Sequence, residues 1–358
     1  MNQAVAIIGL GPAGATLARL LAPRYTVIAL DRKGTDGTDG CDAVAGAFSK
    51  PCGGLLAPKA QKALARLGLA LPVELLVDPQ IFAVRTLDLA HGLLRHYQRC
   101  YINMDRLKFD RWLMAMIPDS VDVIKGARCV SVQRTDGGFA LDYVQNGQCK
   151  TISAQYVVGA DGANSIVRRS LFPGASLRKR IAIQEWYGSQ SICPTYTCFF
   201  DKELTDCYAW GISKNNYFVL GGAIPIQGGR RRFEELKLKL AGLGYNLGGA
   251  TKMEACLVLR PKSPFHRCLG ENGAFLIGEA AGLISPSLEG ISYALNSAAT
   301  LSDVFNSNPV PLNGDYAARM TGAGANLAMR HLKSLFYYSP AARKLIMKSG
   351  LGSIRLAI

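Results

Sequence analysis

Residues Ala4–Leu21 read AVAIIGLGPAGATLARLL. Ala4–Ile8 is a short apolar run and reads as a buried strand. Gly9-Leu10-Gly11-Pro12-Ala13-Gly14 follows at once, and Ala15–Leu21 continues as a helix. Each glycine has a distinct use. Gly9 permits the tight turn, Gly11 lets backbone approach a pyrophosphate, and Gly14 lets helix and strand pack closely. The helix start, with Pro12 and Ala13, offers unpaired N–H groups and positive partial charge to phosphate. Tyr25–Leu30 reads as a second strand, ended by Asp31. An acid there can accept hydrogen bonds from the ribose hydroxyls of a nucleotide, and Arg32 stands beside it.

Two later segments repeat the strand-into-glycine pattern. Tyr156–Arg169 reads YVVGADGANSIVRR, so a strand runs into Gly159-Ala160-Asp161-Gly162. Ala274–Leu295 reads AFLIGEAAGLISPSLEGISYAL, a strand meeting Gly278-Glu279 with a helix starting near Gly290 and Ile291. Ala280, Ala281 and Gly282 are small enough for backbone to lie against a cofactor.

The order of these three segments resembles the para-hydroxybenzoate-hydroxylase-like FAD superfamily. That resemblance implies an α/β fold, with a parallel-sheet Rossmann domain holding FAD non-covalently. It implies that Gly9, Gly11, Gly14 and Asp31 take the ADP half. Asp161 and Gly162 would lie under the pyrophosphate, and Gly278 and Glu279 would hold the ribityl chain. The family has Asp where this chain has Glu279, so the carboxylate is kept on a longer stem. Asn103–Leu113 (NMDRLKFDRWL) matches the family's Arg-x-x-Phe-Asp helix start, which makes Arg106 a cofactor contact or, alternatively, a solvated helix arginine.

Phe48–Leu56 reads FSKPCGGLL, and Cys207–Gly222 reads CYAWGISKNNYFVLGG. Two glycines after a cysteine give backbone that can lie against a planar ring. The second segment reads as strand–turn–strand, with Tyr208 and Trp210 on one face by the period of two. Both segments resemble the geranylgeranyl reductase branch, whose members saturate double bonds of polyisoprenoids. The resemblance places Pro51, Cys52, Gly53 and Gly54 by the flavin and Tyr208 and Trp210 on the substrate cavity. Leu55 replaces a third glycine of that branch, and Ile212-Ser213 replaces a Phe-Pro. Cys52 is then either a proton donor or a small packing residue. Tyr208 and Trp210 are either substrate-lining or plain core aromatics.

Composition bounds the rest. The chain has 358 residues, nearly half of them apolar, which suits one large or two coupled folded domains. No window holds the run of about eighteen apolar residues that a membrane span needs. The start lacks a basic region, so a secretory leader is not expected. Ten cysteines are scattered without a Cys-x-x-Cys pair, and the four histidines show no ligand spacing. Metal is therefore not expected, and free thiols in a reducing cytoplasm are. The net charge is +15. No nucleic-acid-binding signature accompanies it, so nucleic acid is not an expected partner. From Tyr316 onward there are seven basic residues, no acid and many apolar residues. That tail reads either as amphipathic helices lying on an anionic inner-membrane surface or as helices packed on the FAD domain.

The expected organisation is an FAD domain from residues 1–75, 100–180 and 268–310. An antiparallel-sheet substrate domain comes from 76–99 and 181–267, and a helical segment from 311–358. Lys59–Leu69 and Arg232–Leu240 read as helices. The leading functional reading is an FAD-dependent oxidoreductase reducing carbon–carbon double bonds of an apolar, isoprenoid or lipid-like small molecule. The alternatives are an FAD-dependent aromatic hydroxylase, a halogenase on the weak echo Tyr208–Ser213, and a non-catalytic FAD-binding module. Electrons would come from NAD(P)H or a ferredoxin-like carrier, since no second GxGxxG is present.

Overall fold

A computed structural model describes residues 4–34, 50–188, 193–308 and 310–355. Phe48 and Ser49 of the cysteine–glycine segment lie outside the described residues, as does the end of the tail. The chain begins with β1 (Ala4–Ile8), α1 (Pro12–Leu21), β2 (Thr26–Asp31), β3 (Leu55–Leu56), α2 (Pro58–Arg66), β4 (Ile81–Asp88) and β5 (Leu93–Asn103). It continues with α3 (Arg106–Ala115), β6 (Asp122–Lys125), β7 (Arg128–Thr135), β8 (Gly138–Gln145), β9 (Gln148–Ala154), β10 (Tyr156–Gly159) and α4 (Ile166–Leu171). Then come β11 (Lys179–Gly188), β12 (Thr195–Phe200), β13 (Ala209–Lys214), β14 (Tyr217–Ile224), α5 (Gly229–Ala241) and β15 (Lys252–Leu259). Last are β16 (Ala274–Leu276), α6 (Ile291–Ser307), α7 (Asn313–Arg319), α8 (Thr321–Tyr338) and α9 (Pro340–Ser349).

The nucleotide sheet has the order β16-β10-β1-β2-β6, and every pairing in it is parallel. Its strands β1, β10 and β16 are apolar runs because α1, α6 and residues of β7 and β8 pack in the same core. Leu17 and Leu21 of α1 and Leu301 and Phe305 of α6 join Val5, Ile7 and Val157 in one fully buried core. Beside it, β7-β8-β9 form a small antiparallel sheet. Its second hairpin turns on Asn146-Gly147, both left-handed, as a two-residue hairpin requires.

The large sheet has the order β15-β11-β14-β13-β12-β4-β5-β3. Its strands come mainly from the two segments expected to pair, but β4 and β12 run parallel to each other. Every other pairing is antiparallel. The parallel pair arises because β12 enters the sheet after a long crossover rather than a hairpin. Both short helices shift from their expected bounds for local reasons. α2 stops at Arg66 because Gly68 takes a left-handed φ of 66°. α5 starts at Gly229, directly after left-handed Gly228.

The tail is docked onto both sheets. Tyr316, Met320 and Leu327 are core residues. The Tyr316 hydroxyl donates to the Leu276 carbonyl at 3.2 Å, and Asn313 Nδ2 to that of Ala274 at 2.8 Å. Arg343 is buried, with Nε 2.8 Å from Asp88 Oδ2 on β4. Arg330 pairs with Glu289 at 3.2 Å. Those two cations of the basic tail therefore serve the interior. Among the described residues no helix is long and apolar enough to cross a membrane.

Candidate cofactor and substrate site

The C-terminal ends of β1, β2, β10 and β16 open onto one cavity of about 780 Å³. That is the range of small-molecule and cofactor sites. The glycines at its floor separate by what surrounds them. Gly9 has a φ of 92°, and a Cβ there would stand 2.8 Å from Asp161 Cα. A Cβ on Gly14 would stand 1.8 Å from the Gly9 carbonyl oxygen, so α1 lies directly against the turn. Gly11 is different, because nothing lies within 4 Å of an added Cβ. It faces the cavity. Gly11 also caps α1 without a side-chain hydrogen bond among the described residues, and Pro12 and Ala13 line the same space. Unclaimed helix N–H groups thus face an open, phosphate-sized gap.

Asp31 is buried and does structural work there. Its Oδ2 accepts the Leu10 N–H at 2.7 Å and Oδ1 accepts that of Lys33 at 2.9 Å. The carboxylate shapes the glycine loop, and each oxygen keeps a lone pair for a ribose hydroxyl. Arg32 lines the cavity beside it. Asp161 Oδ2 accepts the Ile166 N–H at 2.6 Å, while its Oδ1 is buried without a partner. Burial pushes this carboxyl up. Gly162, left-handed at φ 75°, continues the wall.

Glu279 lines the cavity, but both its oxygens are engaged by this chain. Oε1 accepts the Leu259 N–H at 2.8 Å, and Oε2 pairs with Lys50. Its expected role as a ribityl acceptor therefore competes with an ion pair that sequence reasoning did not foresee. Gly278 does not line the cavity; its N–H donates to Ser297 Oγ at 2.9 Å. Gly290 is the N-cap of α6, and Gly290, Ile291 and Ala294 bring a second helix N-terminus to the same space.

The cysteine–glycine loop borders the same cavity. Pro51, Cys52 and Gly53 line it, whereas Gly54 is turned into the protein. Gly54 has a φ of 60°, and a Cβ there would stand 2.4 Å from the Met104 carbonyl oxygen and 2.6 Å from Lys214 Nζ. Lys214 is the strut under the loop. It is buried and donates to Asn103 Oδ1 at 2.7 Å and to Met104 O at 2.8 Å. Burial pulls its ammonium down to about 8, against the opposing pull of Cys52 and Asp105. Arg106 is also a lining residue rather than a solvated one, with Nε 2.7 Å from Asp110 Oδ1 and a side chain 12 % exposed. Burial works against its charge, but Asp110 and Cys52 outweigh burial and hold the guanidinium well above its ordinary value. Cys52 thus acts on two cations, the buried Lys214 and the partly buried Arg106, and its sulfur accepts the Gly54 N–H at 3.4 Å.

Beyond the loop the cavity becomes aromatic. Tyr208 and Trp210 are buried and line it together with Tyr196, Ile284 and Leu288. The Tyr196 hydroxyl donates to that of Tyr208 at 3.0 Å, and the Tyr208 hydroxyl to the Ser287 carbonyl at 3.0 Å. Trp210 Nε1 donates to Gln184 Oε1 at 3.3 Å. Gly221 makes room for that indole, since a Cβ there would stand 2.3 Å from the ring. Burial raises both tyrosines well above their ordinary range, so this end is a neutral wall. Sequence reading missed Lys50, Tyr196, Asp110 and Lys214. Lys50 adjoins the cysteine–glycine loop and Asp110 is four residues from Arg106, so both had a local signal. Tyr196 and Lys214 had none.

Two helix N-termini, an outward-facing Gly11 and the unpartnered Asp161 oxygen fit a dinucleotide, and the aromatic end leaves space for a ring system and an apolar molecule. The fold is one shared with solved flavin-dependent proteins. Residues 91–188 match the FAD binding domain family. Two solved structures share the fold across nearly the whole chain. One is a geranylgeranyl bacteriochlorophyll reductase-like protein from Thermoplasma acidophilum, at TM-score 0.76 and 18% identity over 95% of this chain and 88% of that one. The other is pqsL, a probable FAD-dependent monooxygenase from Pseudomonas aeruginosa, at TM-score 0.71 and 16% identity over 98% and 100%. Protein CbrA of Escherichia coli O6:H1 is 48% identical over 351 residues, covering 98% of this chain and 94% of that protein. The chain belongs to the CbrA family.

Proposed function

We propose that this protein is an FAD-dependent reductase of carbon–carbon double bonds in an apolar, isoprenoid or lipid-like molecule. The observation carrying the reading is one continuous cavity lined at once by the Gly11 cradle, the Cys52 loop and a neutral aromatic wall. Reduced FAD, when bound, supplies the hydride. This chain's part is to hold it and to deliver a proton. Gly11, Arg106 and the starts of α1 and α6 take the cofactor. Tyr196, Tyr208 and Trp210 exclude water and take the apolar substrate. The Cys52 thiol gives its proton to the second carbon of the double bond and is reprotonated from solvent. The test is anaerobic reoxidation of chemically reduced holoprotein by extracted cellular lipid. Reoxidation without oxygen, slowed in Cys52→Ser at unchanged FAD content, supports the reductase. Substrate consumption only when oxygen is present points to the hydroxylase instead, and no lipid-dependent reaction under either condition points to an FAD-binding module. An unchanged rate in Cys52→Ser returns that residue to packing.

Such a substrate resides in membrane, and the tail offers a surface for it. Met329, Leu332, Leu335 and Phe336 of α8, Leu345 of α9 and nearby Leu351 are exposed, with Lys333, Lys344 and Lys348 among them. An apolar stripe flanked by cations lies well on anionic lipid, at about 1 kcal/mol per basic residue. Because Tyr316, Met320 and Leu327 are core residues, the test uses point changes rather than truncation. Flotation with anionic liposomes at low salt should be lost in Leu332→Gln/Leu335→Gln/Phe336→Gln. Equal flotation by that variant, or none by the parent chain, would refute it.

A further inference from the structure

A second cavity, of about 610 Å³, lies between α8, α9 and the loops that follow β12 and β15. Its charges do not balance. Asp206 presents one carboxylate, which Arg178 approaches at 2.8 Å and Arg180 at 3.0 Å. Arg260 meets no acid. Its Nη2 donates to the Asp206 main-chain carbonyl at 2.9 Å, its Nε is buried without a partner, and the residue is 6 % exposed. Lys262 adds another cation from the same turn. The other lining acid, Asp201, is taken by Lys239 at 2.6 Å. Three guanidinium groups and an ammonium therefore share one carboxylate. Burial lowers the Arg178 pKa, and the repulsion of Arg180 and Arg260 adds to it. An anion entering here would meet the buried, unpaired Arg260 guanidinium with partly exposed cations beside it, and hydrogen bonds to a charged, desolvated donor are the strong ones.

Apolar side chains border the cations. Phe200, Leu332, Leu335 and Tyr338 line the same cavity, alongside His331 and Ser334 of α8. The Arg260 guanidinium lies 4.5 Å from the Tyr338 ring centroid, so the cation sits where charge and hydrocarbon meet. Phe200 stands between Tyr338, at 5.9 Å, and Tyr208 of the first cavity, at 6.0 Å. One layer of rings thus divides the two cavities.

We propose that this second cavity binds a phosphate or diphosphate group through Arg178, Arg260 and Lys262, with Leu332 and Leu335 flanking the hydrocarbon when that group is an ester. Binding there is read without turnover and does not depend on what the flavin reduces. The experiment is calorimetric titration of the FAD-loaded full chain, whose own pyrophosphate cradle is then filled, with octyl phosphate, inorganic phosphate and octanol. Octyl phosphate is expected to bind, and its Kd to rise at least tenfold in Arg260→Gln and at least threefold in Lys262→Gln and Arg178→Gln, with FAD content unchanged. Lys262 is exposed, so that variant tests the site without a folding risk. Tighter binding of octyl phosphate than of inorganic phosphate assigns the site to a lipid headgroup, whereas equal binding assigns it to the free anion. Absence of binding by both anions overturns the proposal. So does octanol binding as tightly as its phosphate ester, or unchanged affinity in Lys262→Gln and Arg178→Gln.

Discussion

Gly11→Val separates cofactor binding from folding more cleanly than any other change in the cradle. Gly11 has φ −69° and ψ −172°, a conformation open to valine. An added Cβ meets nothing within 4 Å, so the apoprotein has no clash to relieve. Its cost is a poorer N-cap, about 1 kcal/mol. The cost to FAD is of another size. The branched side chain fills the gap in front of the α1 N-terminus and denies the pyrophosphate its helix N–H groups. Two charge-assisted hydrogen bonds at about 1.5–3 kcal/mol each amount to about 3–6 kcal/mol, or two to four orders of magnitude in Kd. The assay is equilibrium titration of apoprotein with FAD by flavin fluorescence, alongside the melting temperature of the apo form. A variant that purifies yellow with unchanged affinity would refute the cradle, and one that cannot fold would refute the claim of open space. Gly14→Ala is the control. Its Cβ would stand 1.8 Å from the Gly9 carbonyl oxygen, so it should lose folded protein as well as FAD.

Asp31→Ala should weaken FAD by about 1–3 kcal/mol and also lower apoprotein stability, because the Leu10 and Lys33 N–H groups lose their acceptor; unchanged apo stability would contradict that double role. Lys214 titrates at about 8 folded against 10.5 unfolded, so between those values the unfolded chain holds more protons. Stability from this group should rise with pH across that window, by at most about 1.4 kcal/mol per unit, and Lys214→Met should remove the rise; parallel denaturation-midpoint curves for the two proteins from pH 8 to 10.5 would refute it. Arg343→Met leaves Asp88 buried with, among the described residues, only His91 as an ionic partner, 3.1 Å away, and should cost about 3–5 kcal/mol by urea unfolding; a loss under 1 kcal/mol would show that α9 is not pinned by this pair.

The nucleotide half was legible because its pattern is local. A strand, three glycines and a helix lie within eighteen residues; Gly14 packs on the turn at Gly9, Gly9 packs on Asp161, and Gly11 opens onto the cavity. The same holds for Gly290 and for the Tyr208–Trp210 face. What escaped is non-local. Lys214 reads as an ordinary strand-end lysine until the fold sets it under Gly54, which is 160 positions earlier. Arg343 reads as one of seven tail cations until the fold buries it against Asp88. The parallel pairing of β4 with β12 follows from the crossover and not from either strand's pattern. Glu279 shows the reverse limit. Its motif brings it to the cavity wall, yet its partners, Lys50 and Leu259, lie on segments that the motif does not contain.

The order β16-β10-β1-β2-β6 also sets a timetable for biosynthesis. β1 is made well before its partners, since one flanking strand begins at residue 156 and the edge strand beyond it at 274. At roughly 5–20 residues per second, β1 waits roughly 8–30 s for β10, and β16 follows at least 6 s later. Parallel pairings over such separations form slowly, and until then an apolar strand has an open edge. The start of α6, which completes the cavity, emerges later still. Cofactor loading therefore follows the emergence of α6. FAD captures the last assembly step rather than templating the first, and a shortage of flavin should leave a folded apoprotein rather than a nascent-chain defect.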